Sequence, residues 1–219
     1  KIASFEAIDL PLIRYVAQTE KPMIISTGMA NSEEIREAVN TAQEGGCREI
    51  AILHCVSEYP ALAEDYNLKT ISDMQQKFGI VVGLSDHTID NTIAISSVTL
   101  GASIIEKHVT LDRNGGGPDD SFSLEPEELK TLCSSARDAY NSLGKVDYTV
   151  KSGEKDNIKF RRSLYSAKDI RKNTIITEDQ VKSIRPGYGL HPKYIDRVIG
   201  SKAVHDIVRG TPISFDLIM

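Results

Sequence analysis

The sequence predicts an α/β fold: the later part of a TIM (β/α)8 barrel, with about five βα units and the amino-terminal part absent, followed by a small β-rich domain. Short apolar runs alternate with longer amphipathic runs from Lys1 to about Gly144, as in parallel sheets built from βα units. Five units in this stretch give about 29 residues per unit, close to the roughly 31 of an eight-unit barrel. An open five-stranded sheet is the alternative, but its two long exposed edges would promote aggregation. We therefore expect three further units upstream of Lys1.

Five apolar runs have the length and composition of buried strands, and each precedes a helix candidate. The predicted strands are KIAS (Lys1–Ser4), MIIST (Met23–Thr27), EIAILHC (Glu49–Cys55), IVVGLSD (Ile80–Asp86) and SIIEKHVTL (Ser103–Leu111). The clearest helix starts at Asn31, with Glu34 at the capping-box position, and ends at Gly45. The last helix runs from Pro126 to about Leu143 and starts with Pro and acidic residues.

The chain becomes polar after the last helix, which indicates a domain boundary. We predict a partial barrel domain at residues 1–144, a linker at 145–159 and a second domain at 160–219. The second domain contains two β-like stretches, RRSLYSA and TPISF, separated by Pro and Gly turns. So small a domain buries little apolar surface alone, and we expect it to dock on something larger.

Composition and charge exclude several classes of protein. The net charge of −5 argues against a general nucleic-acid binder, which needs clustered basic residues. No apolar run approaches the roughly 18 to 20 residues of a membrane span, and no leader precedes the first strand. Cys47, Cys55 and Cys133 show no paired spacing, so we expect reduced thiols. These features together predict a cytoplasmic protein with no membrane or nucleic-acid partner.

Two histidines stand near the ends of consecutive predicted strands. His87 and His108 would lie side by side at the mouth of a parallel barrel, where they could share one divalent ion such as Mn²⁺, Fe²⁺, Co²⁺ or Zn²⁺. Two protein ligands leave room for water and a substrate carbonyl. Alternatively, one histidine caps a strand and the other is exposed to solvent. Glu106 shares the strand face of His108, where it could support the site or neutralise a buried Lys.

Hydroxyl and cationic groups also follow the predicted strands and suggest an anionic substrate. Lys1, Ser4, Ser26, Ser57 and Ser85 lie at strand ends, where TIM-barrel sites form, and together could bind a phosphate. A serine after a strand is more often a turn or helix-cap residue. Glu6 is a candidate proton acceptor or sugar ligand, or else an exposed carboxylate. The run NGGGPDD (Asn114–Asp120) is interpreted as a lid whose Asp119 could hold sugar hydroxyls or an amide, or as a plain turn.

Five ordered motifs then become informative together: STGMA (Ser26–Ala30), LSDHT (Leu84–Thr88), EKHVTLD (Glu106–Asp112), GGPD (Gly116–Asp119) and RPGYG (Arg185–Gly189). The sequence resembles the sialic acid synthase family along nearly its whole length. These enzymes condense phosphoenolpyruvate with an amino-sugar aldose to form a nonulosonic acid. The resemblance implies a TIM barrel followed by an antifreeze-like domain of the SAF type.

The resemblance also implies roles for individual residues. His87 and His108 match the metal ligands, with Mn²⁺ or Mg²⁺ the expected ion. Lys1, Ser4, Ser26 and Ser85 match positions that bind phosphoenolpyruvate, and Ser57 and Tyr59 match positions that face the substrates. Glu6 and Asp119 match carboxylates that face the sugar. Arg185 matches an arginine that the antifreeze-like domain inserts over the partner's barrel, which implies a domain-swapped homodimer.

Smaller features favour the branch of the family that makes pseudaminic acid from 2,4-diacetamido-2,4,6-trideoxy-L-altrose. Phe5 replaces a glycine usual in N-acetylneuraminate synthesis, and no histidine follows GPD (Gly117–Asp119). Synthesis of N-acetylneuraminate or legionaminate is the alternative. A glycan- or ice-binding module is disfavoured by the charges Lys168, Asp169, Arg171 and Lys172. Because the resemblance places further substrate-binding groups upstream, we expect these 219 residues alone to be inactive.

Overall fold

A four-stranded parallel sheet forms the centre of the first of two units into which the chain divides. The computed structural model describes residues 1–219, with units at Lys1–Lys145 and Val146–Met219. The strands of the first unit are β1 (Met23–Ser26), β2 (Ile50–Cys55), β3 (Val81–Asp86) and β4 (Ile105–Lys107). They are hydrogen-bonded in the order β1-β2-β3-β4, each parallel to the next. All four carboxyl ends therefore lie at one edge of the sheet.

Helices connect and flank these strands. They are α1 (Leu10–Ala17), α2 (Ser32–Glu44), α3 (Lys69–Phe78), α4 (Thr92–Thr99) and α5 (Pro126–Leu143). Short 3-10 helices lie at Ser4–Glu6, Ala63–Asp65 and Asp120–Phe122. The predicted capping box is confirmed: Asn31 Oδ1 accepts from Glu34 N (3.1 Å), and Glu34 Oε2 accepts from Asn31 N (2.7 Å).

The core of the first unit lies between the sheet and its helices. Ile25, Ile52 and Leu84 are fully buried strand residues, and α1 and α3 contribute the fully buried Ile13 and Ile71. Burial of such side chains contributes about 1.5–3 kcal/mol each. This packing fixes the strands and therefore the positions of the residues that follow them.

One predicted strand does not form, and another is shorter than predicted. The prediction of a strand at Lys1–Ser4 is wrong: Ile2 forms a single parallel bridge to Ile25, and the chain then turns into the 3-10 helix at Ser4–Glu6. The strand predicted up to Leu111 stops at Lys107, because its neighbour β3 ends at Asp86. Val109 instead bridges Leu124, which lies just before α5.

The second unit contains a two-stranded antiparallel sheet of β5 (Ser163–Ser166) and β6 (Val181–Ile184), and the short helix α6 (Ile195–Val198). The stretch RRSLYSA contains β5 as predicted, whereas TPISF makes only one isolated bridge, from Pro212 to Tyr165. Its small core is built on Leu164, Ile170, Ile176 and Ile213. Most of a 3-10 helix, Ser152–Phe160, occupies the predicted linker.

No helix in the structure combines the length and apolar character that crossing a membrane requires. The three cysteines are all free thiols.

His54, on β2, provides a pH-dependent test of the packing. It lies within the apolar run EIAILHC, and the structure places it half-buried with Nε2 hydrogen-bonded to Tyr66 O. Burial lowers the pKa of His54 below its ordinary value of 6.5. As the pH falls through 6.5, the unfolded chain takes up this proton before the folded chain does, so stability decreases.

We therefore expect His54→Gln to reduce the loss of stability between about pH 7.5 and about pH 5.5, because glutamine keeps a donor for Tyr66 O but does not titrate. Urea unfolding of both proteins at the two pH values measures this difference. An equal loss of unfolding free energy in the two proteins would contradict the assignment.

Candidate active site

Three successive residue pairs join the carboxyl ends of β3 and β4. The parallel register sets Ser85 opposite Glu106 and Asp86 opposite Lys107. Ser85 Oγ donates to Glu106 Oε1 (2.9 Å), and Lys107 Nζ lies 2.9 Å from Asp86 Oδ2. The next pair is His87 and His108, whose ring centroids are 5.3 Å apart. The predicted convergence of the two histidines at one edge of the sheet is therefore what the structure contains.

Aromatic side chains surround the two imidazoles. The Tyr59 ring lies 4.3 Å from the His87 ring and 5.8 Å from the His108 ring, between centroids. Phe122, which is buried, packs 5.2 Å from His108 on the same measure. His87 is buried, whereas His108 is partly exposed. His87 is thus enclosed by the protein, whereas His108 is open to solvent on part of its surface.

The loop after β2 holds His87 through three hydrogen bonds. The backbone N–H of His87 donates to the Tyr66 hydroxyl (2.7 Å), and its carbonyl accepts from Ala61 N (3.0 Å). Its Nδ1 lies 2.7 Å from the carbonyl oxygen of Val56, which can only accept. We infer that Nδ1 carries the proton in the neutral ring, which leaves the Nε2 lone pair free for a ligand.

His108 has a carboxylate beside the same ring nitrogen. Asp119 Oδ2 lies 3.4 Å from His108 Nδ1. A carboxylate at Nδ1 favours the tautomer whose Nε2 is unprotonated, as in metal sites where a carboxylate orients the histidine. The two imidazoles therefore each offer one unprotonated nitrogen when neutral.

A pocket of about 390 Å³ lies beside the histidines and carries the predicted anion-binding groups. Its lining includes Lys1, Ser4, Ser26, Tyr59, Ser85, Glu106, His87 and His108. Lys1 Nζ is 2.7 Å from Glu106 Oε1. Burial raises the pKa of Glu106, but hydrogen bonds from Lys1 and Ser85 outweigh burial and leave that pKa below its ordinary value. Glu106 is thus a charged partner of Lys1.

Ser26 Oγ is buried and has no hydrogen-bond partner. An unsatisfied buried hydroxyl costs about 1–3 kcal/mol, so a partner from outside the chain would be stabilising. Ser26 lines the same pocket as Lys1 and Ser85, so the unpaired hydroxyl and these two polar groups face one shared space.

Small polar groups cluster around Ser4, which is one of the residues that line the pocket. Ser4 Oγ accepts from Gly28 N (3.0 Å) and donates to Cys55 Sγ (3.3 Å). A Cβ atom at Gly28 would lie 2.2 Å from Ser57 Oγ and 2.8 Å from Ser4 Oγ, so a larger residue there would displace these hydroxyls. Burial raises the pKa of the Cys55 thiol, but hydrogen bonds from His87 and Ser4 outweigh burial and lower that pKa overall.

Three predicted residues of the first unit do not line the pocket. Ser57 Oγ lies 3.8 Å from Cys55 Sγ, and Asp119 contacts His108 instead. Glu6 is exposed on the 3-10 helix after Ser4. Arg185 is exposed at the end of β6 in the second unit.

The residues that sequence reasoning missed are Asp86, Lys107, Tyr66 and Phe122. The pairs Asp86–Lys107 and Ser85–Glu106 have the same 21-residue spacing as the two histidines. This spacing could have identified Asp86 and Lys107 as neighbours from the sequence.

The chemistry of the donor set suits one divalent ion in an open site. No group of three or more His, Cys, Asp or Glu side chains forms a closed metal cage. Two imidazole nitrogens with open positions suit an ion that must also bind substrate. A larger cavity of about 870 Å³ at the amino ends of the strands contains neither His nor Cys and offers no such chemistry.

Comparison with known proteins agrees with this architecture. The NeuB family model matches residues 1–148, and the SAF domain model matches residues 161–219. The chain is 41% identical over 210 residues to pseudaminic acid synthase of Campylobacter jejuni subsp. jejuni (strain 81-176), an alignment that covers 96% of this chain and 61% of that protein. It is 40% identical over 206 residues to N,N'-diacetyllegionaminic acid synthase of C. jejuni subsp. jejuni (strain NCTC 11168), with 93% and 62% covered.

A solved structure shows the same fold. Spore coat polysaccharide biosynthesis protein SpsE of Bacillus subtilis aligns with a TM-score of 0.62 and 37% identity, and covers 100% of this chain and 66% of that one. The predicted fold class, a partial TIM barrel followed by an SAF domain, is confirmed. The chain spans less than two thirds of the length of the sequence relatives described above. By its sequence, its parallel half-barrel and its carboxyl-terminal domain, the chain belongs to the NeuB family, the sialic acid synthases.

Proposed function

We propose that the intact protein condenses phosphoenolpyruvate with an amino-sugar aldose to give a nonulosonic acid and phosphate. The observation that carries the proposal is the pair His87 and His108 beside a pocket that contains Lys1, Ser26 and Ser85. A metal site next to an anion site suits a reaction that joins a carbonyl compound to a phosphate ester. The named relatives, which are synthases of this class of sugar acid, support the same general chemistry.

His87 and His108 would hold the metal ion. Imidazole nitrogen suits Mn²⁺ better than Mg²⁺, which prefers oxygen ligands, so we propose Mn²⁺ as the working ion and Mg²⁺ as the alternative. When bound, the ion would act as a Lewis acid that polarises the aldehyde of the open-chain sugar.

Lys1 and the serines would hold phosphoenolpyruvate. Lys1 would exchange its contact with Glu106 for the phosphate or carboxylate, and Ser26 Oγ would gain the partner it lacks. Ser85 would contribute a second hydroxyl, while Ser4 would position the loop at Gly28. These fixed groups would orient the enol carbon toward the aldehyde and so supply much of the rate enhancement.

The bond changes follow from the substrates. The enol carbon of phosphoenolpyruvate forms a bond to the aldehyde carbon, whose oxygen takes up a proton. Positive charge then develops on the carbon that bears the phosphate, and water adds there with loss of a proton. The resulting tetrahedral carbon expels phosphate by cleavage of its C–O bond, which leaves a ketone.

The sugar would be held above the histidines. Tyr59 packs against the His87 ring at a tilt of 42° and is 42% exposed, which suits contact with a sugar ring. We assign sugar contacts to Ser57, Glu6 and Asp119 from the motif match, with Glu6 the candidate proton acceptor. For Asp119 this assignment adds to its contact with His108. We further propose a domain-swapped homodimer in which Arg185 of one subunit reaches the partner's site. We also propose that the enzyme is cytoplasmic and needs neither a nucleic acid nor a membrane as a partner.

The preferred sugar is proposed to be 2,4-diacetamido-2,4,6-trideoxy-L-altrose, with pseudaminic acid as product. Overall identity does not decide this, because the two synthases compared above are 41% and 40% identical to the chain. The support comes from Phe5 and from Asp120, which stands where a histidine often follows GPD. Legionaminate or N-acetylneuraminate synthesis is the alternative.

Phosphate release by the intact protein tests the proposal. The protein is given phosphoenolpyruvate and Mn²⁺ with the altrose derivative, the corresponding 2,4-diacetamido-2,4,6-trideoxymannose or N-acetylmannosamine. We expect phosphate release that requires an aldose, is fastest with the altrose derivative and stops when a chelator is added. Faster phosphate release with another aldose would overturn the choice of sugar. Phosphate release at the same rate with and without an aldose would overturn the proposed reaction.

A further inference from the structure

A buried ion pair stands directly before the two histidines. Asp86 and Lys107 end β3 and β4, are partners in the parallel register, and each precedes one histidine in sequence. Their charged atoms are 2.9 Å apart, and their side chains are 0% and 2% exposed. Because side chains alternate along a strand, the side chains of this pair lie on the face of the sheet opposite to those of Ser85 and Glu106, and Lys107 also contributes to the lining of the pocket.

Every proton of the Lys107 ammonium group has an acceptor. Besides Asp86 Oδ2, Nζ donates to Thr88 O (2.6 Å) and Asp90 O (2.9 Å). The other Asp86 oxygen, Oδ1, accepts from the backbone N and the hydroxyl of Thr88, each at 2.9 Å. The network therefore fixes the backbone on both sides of His87 to the residue that precedes His108.

Stability alone does not account for this pair. Removing two charges from water costs about as much as their attraction returns, and apolar side chains of similar volume often serve a core equally well. The pair does supply a directional connection between two strand ends, which apolar contacts do not. Its position points to the two residues that follow it.

We propose that Asp86 and Lys107 are positioning residues that hold His87 and His108 at the separation and orientation needed to share one metal ion. The inference rests on the proposed function, because it assumes that the two histidines bind a divalent ion. In this role, Asp86 and Lys107 act through the two histidines and do not contact the ion themselves.

Cobalt titration of the intact protein tests the proposal, because Co²⁺ has visible absorption bands that report its coordination geometry. Groups that orient metal-binding histidines typically change metal affinity by about 10- to 100-fold when they are replaced. We expect Lys107→Met to weaken Co²⁺ binding by such a factor and to change the shape of the absorption bands. Unaltered affinity and bands in this variant would overturn the proposal.

A double variant separates positioning from stability, and remains informative if Lys107→Met does not fold. Asp86→Asn combined with Lys107→Met leaves no unpaired buried charge, so much of the stability should return while Co²⁺ binding remains weak. Leu132→Ala, a buried change on α5, is the control for general destabilisation and should leave the Co²⁺ bands unchanged.

The possible outcomes distinguish a failure of the positioning role from a failure of the metal site itself. Wild-type Co²⁺ binding in the double variant would show that the pair is only structural and would overturn the positioning role. Failure of the unaltered protein to bind Co²⁺, Mn²⁺ or Mg²⁺ would instead overturn the metal site of the proposed function, and the positioning role with it.

Discussion

Replacing His108 with alanine is expected to reduce metal-dependent phosphate release from phosphoenolpyruvate and the aldose by at least about a thousandfold. The substitution leaves His87 as the only imidazole at the site, and Lewis-acid stabilisation of the developing alkoxide contributes several kcal/mol. Because His108 is partly exposed, the change should have little effect on folding. Steady-state phosphate release at saturating Mn²⁺, with the thermal unfolding midpoint of each protein, measures both effects.

The matched control is His205→Ala, an exposed histidine in the second unit. It should retain nearly full activity. If His108→Ala retained activity within tenfold of the unaltered protein at saturating Mn²⁺, the assignment of His108 as a metal ligand would have to be abandoned.

Replacing Gly83 with alanine is expected to lower the free energy of unfolding by about 3 kcal/mol, the upper part of the range for overpacked cores. Gly83 lies in the middle of β3, and a Cβ atom there would lie 2.5 Å from Ile104 O and 2.6 Å from Leu53 Cδ2. The first of these is a backbone atom next to β4, so relief requires β3 and β4 to move apart. The same movement would separate the strand ends that carry His87 and His108.

Denaturant unfolding of Gly83→Ala measures the loss. Gly153→Ala, at a position with no atom within 4 Å of the added Cβ, is the control and should change the unfolding free energy by less than about 0.5 kcal/mol. A loss below about 1 kcal/mol at Gly83 would contradict the close strand contact described here.

The sequence predicted the central strands well because their pattern is local. Apolar runs bounded by turns identified β2 and β3 within one residue of their observed starts and at their observed ends, and the Asn31 capping box located the start of α2. The prediction of a strand at Lys1–Ser4 was wrong because an apolar run does not show whether a neighbouring strand pairs with it. Only Ile2 of this segment pairs with β1.

The parts of the site that were missed depend on contacts between distant segments. The Tyr66 hydroxyl supports the backbone of His87 across 21 residues, and nothing in the loop sequence specifies that hydrogen bond. Asp119 was predicted to face the sugar, but the fold of its loop also sets it beside His108. By contrast, the convergence of the histidines was predictable, because parallel strands of similar length bring their ends together.

The most direct measurement of the central claim is electron spin echo modulation of Mn²⁺ bound to the intact protein, which detects nitrogen atoms coordinated to the ion. The account predicts coupling to two imidazole nitrogens, to one in either His87→Ala or His108→Ala, and to none in the double variant. Nitrogen coupling that persists in the double variant, or its absence in the unaltered protein, would contradict the claim that these two histidines share one metal ion.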